Sequence, residues 1–143
     1  MQFKNIVGQK TTIDDGMTMN IIASGAINYG DIVTITGATE VAGQPYLVGK
    51  QSQADSIAIL GVCCEPGGIA TGGIGRIQIA GIADVNVASA TYTTPGALIV
   101  TNGGGNGSGA AGTPAAGKAV GLAIGDVSGT VTQTKVLIRL SDR

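Results

Sequence analysis

Histidine and tryptophan are absent from the 143 residues, and there are only one phenylalanine, three tyrosines and two cysteines. Without histidine the chain lacks the commonest general base, metal ligand and pH switch. Cys63 and Cys64 are adjacent in an apolar stretch. On a strand neighbouring side chains point to opposite faces, so these two cannot easily bond each other. A disulfide framework and a Cys/His zinc site are both excluded. Charge is scarce as well: charged residues make up 12%, against roughly a quarter in ordinary domains. The eight Lys and Arg are scattered against nine Asp and Glu, for a net charge of −1. A phosphate backbone is bound by clustered cations, so no nucleic-acid partner is expected. The longest apolar runs, such as Ile57–Leu60, fall far short of the roughly 20 residues of a membrane span. The N-terminus has no apolar targeting region, so a soluble chain with no membrane partner is expected.

What is present is glycine, 25 residues of it, with short runs of Ile, Val and Thr between Gly, Pro, Asn and Asp marks. Such runs read as strands. They are expected near Met17–Ala23, Asp31–Thr36, Tyr46–Val48, Ile57–Cys64, Gly75–Ala80, Ala83–Val87, Ala97–Thr101, Ala119–Gly125 and Thr134–Leu140. Lys135-Val136-Leu137-Ile138-Arg139-Leu140 alternates as a sheet with one buried face does. No stretch carries a helical apolar period. The fold class is all-β, a small antiparallel barrel or sandwich with an extended N-terminal arm. The organisation is an arm at 1–15, then a single β-domain at 16–143 with a Gly-rich flexible loop at 102–117. Aromatic anchors are few and glycine is costly in strands, which leans the chain toward burial between subunits.

A repeat runs through the pattern. Gly30–Gly37 matches Gly96–Gly103, Ile59–Cys63 matches Ala119–Ala123, and Arg76–Ala80 matches Lys135–Leu140. The offsets are about 66, 60 and 59 residues, which implies two similar three-strand units in one core. The stretch Val85–Gly117 carries no charge, as an interface or a buried hairpin would.

No catalytic, cofactor-binding or metal-ligating residue is expected. Gly112–Ala119 approaches a phosphate-binding loop, but Ala119 has no hydroxyl for Mg²⁺ and a strand follows where a helix is needed. The glycines from Gly67 to Gly75 miss the dinucleotide spacing and read as turns. Asp14-Asp15 before Gly16 reads as a turn, not a paired-carboxylate site. No histidine is available to activate a serine or cysteine, and nothing around Lys118, a base in principle, suggests the burial that role needs. Asn106-Gly107-Ser108 matches a glycosylation acceptor and reads as a polar turn. Cys63 and Cys64 read as small apolar residues of a buried strand.

Certain segments together resemble the capsid cement, or head decoration, proteins of tailed bacteriophages. They are Gly30-Asp31-Ile32-Val33, Leu60-Gly61-Val62, Gly75–Gly81, Thr94–Val100, Val120–Ala123 and Lys135–Leu140, and the similarity spans roughly residues 28–140. The insert at Gly103–Gly117 and the Cys63-Cys64 pair depart from that pattern. The resemblance implies an all-β homotrimer, made in the bacterial cytoplasm, that sits on the outer surface of the phage head. There it would clamp neighbouring subunits of the major capsid protein. Phe3, Ile6 and Val7 are then the apolar anchors by which the arm lies along a capsid subunit or a neighbouring protomer, adding a strand to an open sheet edge. Two other readings share the composition. A phage tail or baseplate subunit would also be all-β and non-enzymatic. A carbohydrate-binding β-sandwich usually presents exposed aromatic rings, and only Tyr29, Tyr46 and Tyr92 are available.

Overall fold

A computed structural model describes residues 16–54, 58–88, 96–109, 119–124 and 133–139. Every regular element among them is a strand. No helix there is long and apolar enough to cross a membrane. Five strands form the first unit: β1 (Thr18–Ala23), β2 (Ile32–Val41), β3 (Gln44–Gln51), β4 (Ile59–Cys63) and β5 (Ile74–Gln78). They close into a barrel in the order β1-β3-β2-β4-β5. All its ladders are antiparallel except the closing one, where β1 runs parallel to β3 through Ile21↔Leu47 to Ala23↔Gly49. The second unit is β6 (Ile82–Asn86), β7 (Leu98–Gly103), β8 (Asn106–Gly109), β9 (Ala119–Ala123) and β10 (Gln133–Ile138). It is a sheet in the order β6-β10-β9-β7-β8.

The two units are one topology used twice, strand for strand, so the repeat is of five strands where three are legible in the sequence. The pair Ile32↔Val62 of β2 and β4 recurs as Leu98↔Leu122 of β7 and β9, at offsets of 66 and 60. The irregularities recur too. Each of these ladders skips one residue, Leu60 in β4 and Val120 in β9. Each hairpin skips another, between Ile35 and Gly37 in β2 and between Thr101 and Gly103 in β7. Bulges bend strands at defined places, and two matching pairs of them mark a common frame. Outside the ladders, Cys63 N–H donates to Asp31 O at 2.8 Å and Ala123 N–H to Ala97 O at 2.8 Å. The close approaches match as well. A Cβ on Gly61 would lie 2.2 Å from Gln78 O, and one on Gly121 would lie 2.1 Å from Leu137 O.

The bulge at Leu60 lets β4 serve two cores. Leu60 and Cys63 point into the barrel with Ile21, Ala23, Ile27, Val33, Ile69 and Ile77. Ile59 and Val62 point out of it, with Ile32, and join Ala83, Val85, Ile99, Val120, Ala123, Val136 and Ile138. The outer face of the barrel thus fills the inner face of the second sheet, which does not close on itself among the described residues. Each such Ile or Val removed from water stabilises the fold by about 1.5–3 kcal/mol. Burying β4 on both faces accounts for its uninterrupted apolar sequence.

Two expectations are corrected. The Gly-rich segment is not loop throughout: β7 runs to Gly103, a tight turn follows at Gly104 and Gly105, and β8 takes Asn106–Gly109. A ladder needs only backbone groups, and glycine supplies the positive φ that the turn requires, 57° and 80° at these two residues. Asn106-Gly107-Ser108 therefore lies in a paired strand, not a turn, and residues 110–117 fall outside the described residues. The second correction is length. β2 and β3 run on past Thr36 and before Tyr46 as a two-stranded ribbon, turning at Ala42 and Gly43.

A buried carboxylate ties the units together. Asp31 is 2% exposed. It accepts from Asn28 N–H at 2.8 Å, from the Gln51 amide, and from Asn86 Nδ2 of β6 at 3.0 Å. Ile32 N–H donates to Gly105 O at 2.7 Å alongside. Three donors thus supply the hydrogen bonds that a buried carboxyl group needs.

Candidate interaction surfaces

Among the described residues no three His, Cys, Asp or Glu side chains gather as a metal would need. Both cysteines are free; Cys63 is buried and Cys64 half-buried. Burial pushes the Cys63 thiol up to about 11 and raises that of Cys64 in the same direction. Neither is the low-pKa thiolate that nucleophilic chemistry uses. Glu65 pairs with Arg76 at 3.3 Å, and Asp84 with Lys135 at 2.8 Å. Gly67, Gly68 and Gly72 all take positive φ in the segment between β4 and β5, as turn glycines do.

What the structure offers a partner is shape. The first such surface is the β2–β3 ribbon. From Thr36 to Pro45 every residue is exposed, on both faces of the two strands. Its second-unit counterpart turns after Gly103, which pairs with Asn106 across only two residues. In the first unit Gly37 pairs with Val48, so the ribbon is an extension built on the shared frame. A two-stranded ribbon with no covered face is marginal in water and gains order from what it lies against.

The second surface is the outer face of the second sheet. Four aliphatic residues stand in register across four strands: Ile82 beside Leu137, Leu137 beside Leu122, and Leu122 beside Leu98. Leu137 is 37% exposed and the other three half-buried. Ile124 beyond them is 43% exposed. Polar groups edge this row. Lys135 Nζ donates to Asp84 Oδ1, and the Tyr29 hydroxyl donates to Asp84 Oδ2 at 3.0 Å. The Lys135 hydrogen bond holds the Asp84 carboxyl below its ordinary range, aided by Tyr29. Burial first, and then the Asp84 carboxylate, raise the Tyr29 phenol.

No family model matches this chain, and no curated protein matches it. Among solved structures it is similar to the N base of the head fiber gp8.5 of bacteriophage phi29, with a TM-score of 0.54. The two chains share a fold. The match covers 89% of this chain and 97% of that one at 10% sequence identity. Likeness at that identity is a statement about architecture.

Phe3, Ile6 and Val7, the expected anchors, lie outside the described residues, as do Asp14-Asp15, Lys118 and Tyr92. Tyr46 stands half-buried on β3 opposite Thr39, on a strand where a loop was expected, and the Tyr29 hydroxyl is held by Asp84. The aliphatic row went unread in the sequence. Its one signal is Leu137, which shares strand parity with Lys135 and Arg139 and so had to point outward with them.

Proposed function

We propose that this chain is a structural protein of a phage virion, one that binds the outer surface of the head and clamps neighbouring major capsid subunits. The observation that carries this reading is the architecture it shares with a phage head fiber base over 89% of its length. The motif resemblance to cement proteins points the same way. The chemistry is consistent with it: of the four carboxylates among the described residues, Asp31, Glu65 and Asp84 are taken up in hydrogen bonds or ion pairs, and Glu40 stands exposed on the β2–β3 ribbon. We read the chain as non-enzymatic, without cofactor, and as a homotrimer in the particle.

The mechanism is multivalent. A trimer bridging several capsid subunits holds them through many weak contacts, so separating two subunits requires breaking several at once. The arm supplies one such contact through Phe3, Ile6 and Val7, laid along a sheet edge of the capsid. The ribbon from Thr36 to Pro45 supplies another.

The reading is tested on the particle. Virions purified from the host are probed by gold-labelled antibody against this chain, with virions carrying a deletion of residues 1–15 in parallel. Label over intact heads, reduced in the deletion, is the expected result. Label confined to tails would assign the chain to the tail instead, and full head occupancy by the deletion would remove the arm from the mechanism.

A further inference from the structure

We propose that Asn102 is a site of self-modification, where the side-chain amide converts spontaneously to a carboxylate through a cyclic imide with Gly103. The inference does not rest on attachment to a head. The Gly103 nitrogen attacks Asn102 Cγ, the Cγ–Nδ2 bond breaks, and the Gly103 amide proton leaves with Nδ2 as ammonia. Water then opens the ring. Addition at Cγ leaves aspartate; addition at the backbone carbonyl leaves isoaspartate, with the chain rerouted through Cγ. Nothing is oxidised or reduced, and water is the only co-reactant.

Sequence narrows the choice to two positions. The attacking nitrogen must be uncrowded, and glycine alone carries no Cβ beside it. Asn102 and Asn106 precede glycine, whereas every other asparagine precedes Ile, Tyr or Val. The fold separates the two. The β7–β8 ladder passes from Thr101↔Gly107 to Gly103↔Asn106, so Asn102 is the residue it skips. Asn102 is exposed and Asn106 half-buried. Ring closure turns the peptide between Asn102 and Gly103, and Gly103 at φ 113° already occupies a region open to glycine. Gly103 also stands in the last pair before the turn, where a ladder opens most readily. For Asn106 the attacking nitrogen belongs to Gly107, one step further into the ladder opposite Thr101. In the first unit the skipped residue is Thr36, which has no amide to lose.

The site bears on the junction between the units. On one side of it Thr101 Oγ1 donates to Ala54 O at 3.4 Å. On the other, Gly105 N–H donates to Ser52 O at 3.0 Å, and Gly105 O accepts from Ile32 N–H at 2.7 Å. A Cβ on Gly105 would lie 2.5 Å from Asp31 Cγ, so the turn is seated directly on the buried carboxyl group. Isoaspartate inserts an extra backbone atom between these two anchors. Either product also places a charge in the stretch from Val85 to Gly117, which otherwise carries none. Conversion therefore loosens the hold of the second unit on the first.

The test incubates the full chain at mildly alkaline pH, folded and in urea, and follows each asparagine by peptide mapping with electron-transfer fragmentation. In urea the two Asn-Gly pairs are expected to convert alike. In the folded chain Asn102 is expected to convert several-fold faster than Asn106, giving aspartate and isoaspartate. Wild type is expected to lose Tm as isoaspartate accumulates. Asn102→Thr, which installs the first unit's own residue at this step, is expected to keep its Tm through the same incubation. Equal protection of Asn102 and Asn106 in the folded chain would overturn the proposal, as would faster conversion at Asn106. An isoaspartate fraction that melts with fresh protein would overturn the link to the junction.

Discussion

Replacing Gly121 by alanine probes the frame where it is tightest. A methyl at that position would lie 2.1 Å from Leu137 O and 2.9 Å from Leu137 C. Comfortable non-bonded approach is about 3.5–4.0 Å, so β9 and β10 must separate by roughly 1 Å or more. The obstacle is backbone held in the ladder through Leu137↔Leu122 and Ile138↔Gly121, so no side-chain rotation relieves it. Overpacking costs about 1–3 kcal/mol where side chains can adjust, and a backbone obstacle places this variant at about 3 kcal/mol or above. For a chain of this size that lowers the Tm by about 10 °C. Gly61→Ala meets Gln78 O at 2.2 Å in the first unit, and the repeated register predicts a loss of the same size. Gly25→Ala, with nothing within 4 Å of its Cβ, is expected to stay within about 0.5 kcal/mol of wild type. The assay is thermal and urea unfolding of the three variants beside wild type. A Gly121→Ala or Gly61→Ala protein melting within about 2 °C of wild type would refute the reasoning.

Three further outcomes are expected. Asp31→Ala leaves the Asn28, Gln51 and Asn86 donors without their acceptor, a loss of about 3 kcal/mol or more, read as a fall in the urea midpoint; an unchanged midpoint contradicts the junction role. Asp84 has its folded pKa below the ordinary carboxylate value, so its pairing stabilises above about pH 4 and is lost as pH falls through the folded pKa. With Lys135 57% exposed the effect is at most about 1 kcal/mol. Lys135→Met is therefore slightly less stable than wild type near neutral pH and converges with it in acid, and a gap that persists in acid speaks against the pairing. Finally, the native chain should react with an aromatic disulfide reagent at Cys64 only, and slowly, because Cys63 is 1% exposed with its thiol pushed to about 11. Fast labelling of both thiols before unfolding would show that β4 is not enclosed.

The strands legible in the sequence were those whose side chains do the folding. β4 is apolar because it is buried on both faces, and β10 alternates because it is buried on one. Gly30–Gly37 and Gly96–Gly103 revealed the repeat because a bulge recurs at the same step of each. What stayed hidden depends on backbone and on non-local pairing. β8 has no side-chain signature, since N-G-S-G pairs through peptide groups alone. The β2–β3 ribbon has no buried face, so no alternation marks it. Closure of the barrel by a parallel β1–β3 pair joins segments that local pattern cannot relate. The aliphatic row draws one residue from each of four strands, and only their register brings these residues together.

The proposed attachment to a phage head is read directly from saturation of undecorated heads by the purified chain. Heads assembled without the chain are titrated with it and sedimented, and the bound protein is quantified. Saturable binding in multiples of three per capsid site is the expected result. Absence of binding, with the chain forming rings or tubes in the same gradient, would contradict it and move the chain to the tail.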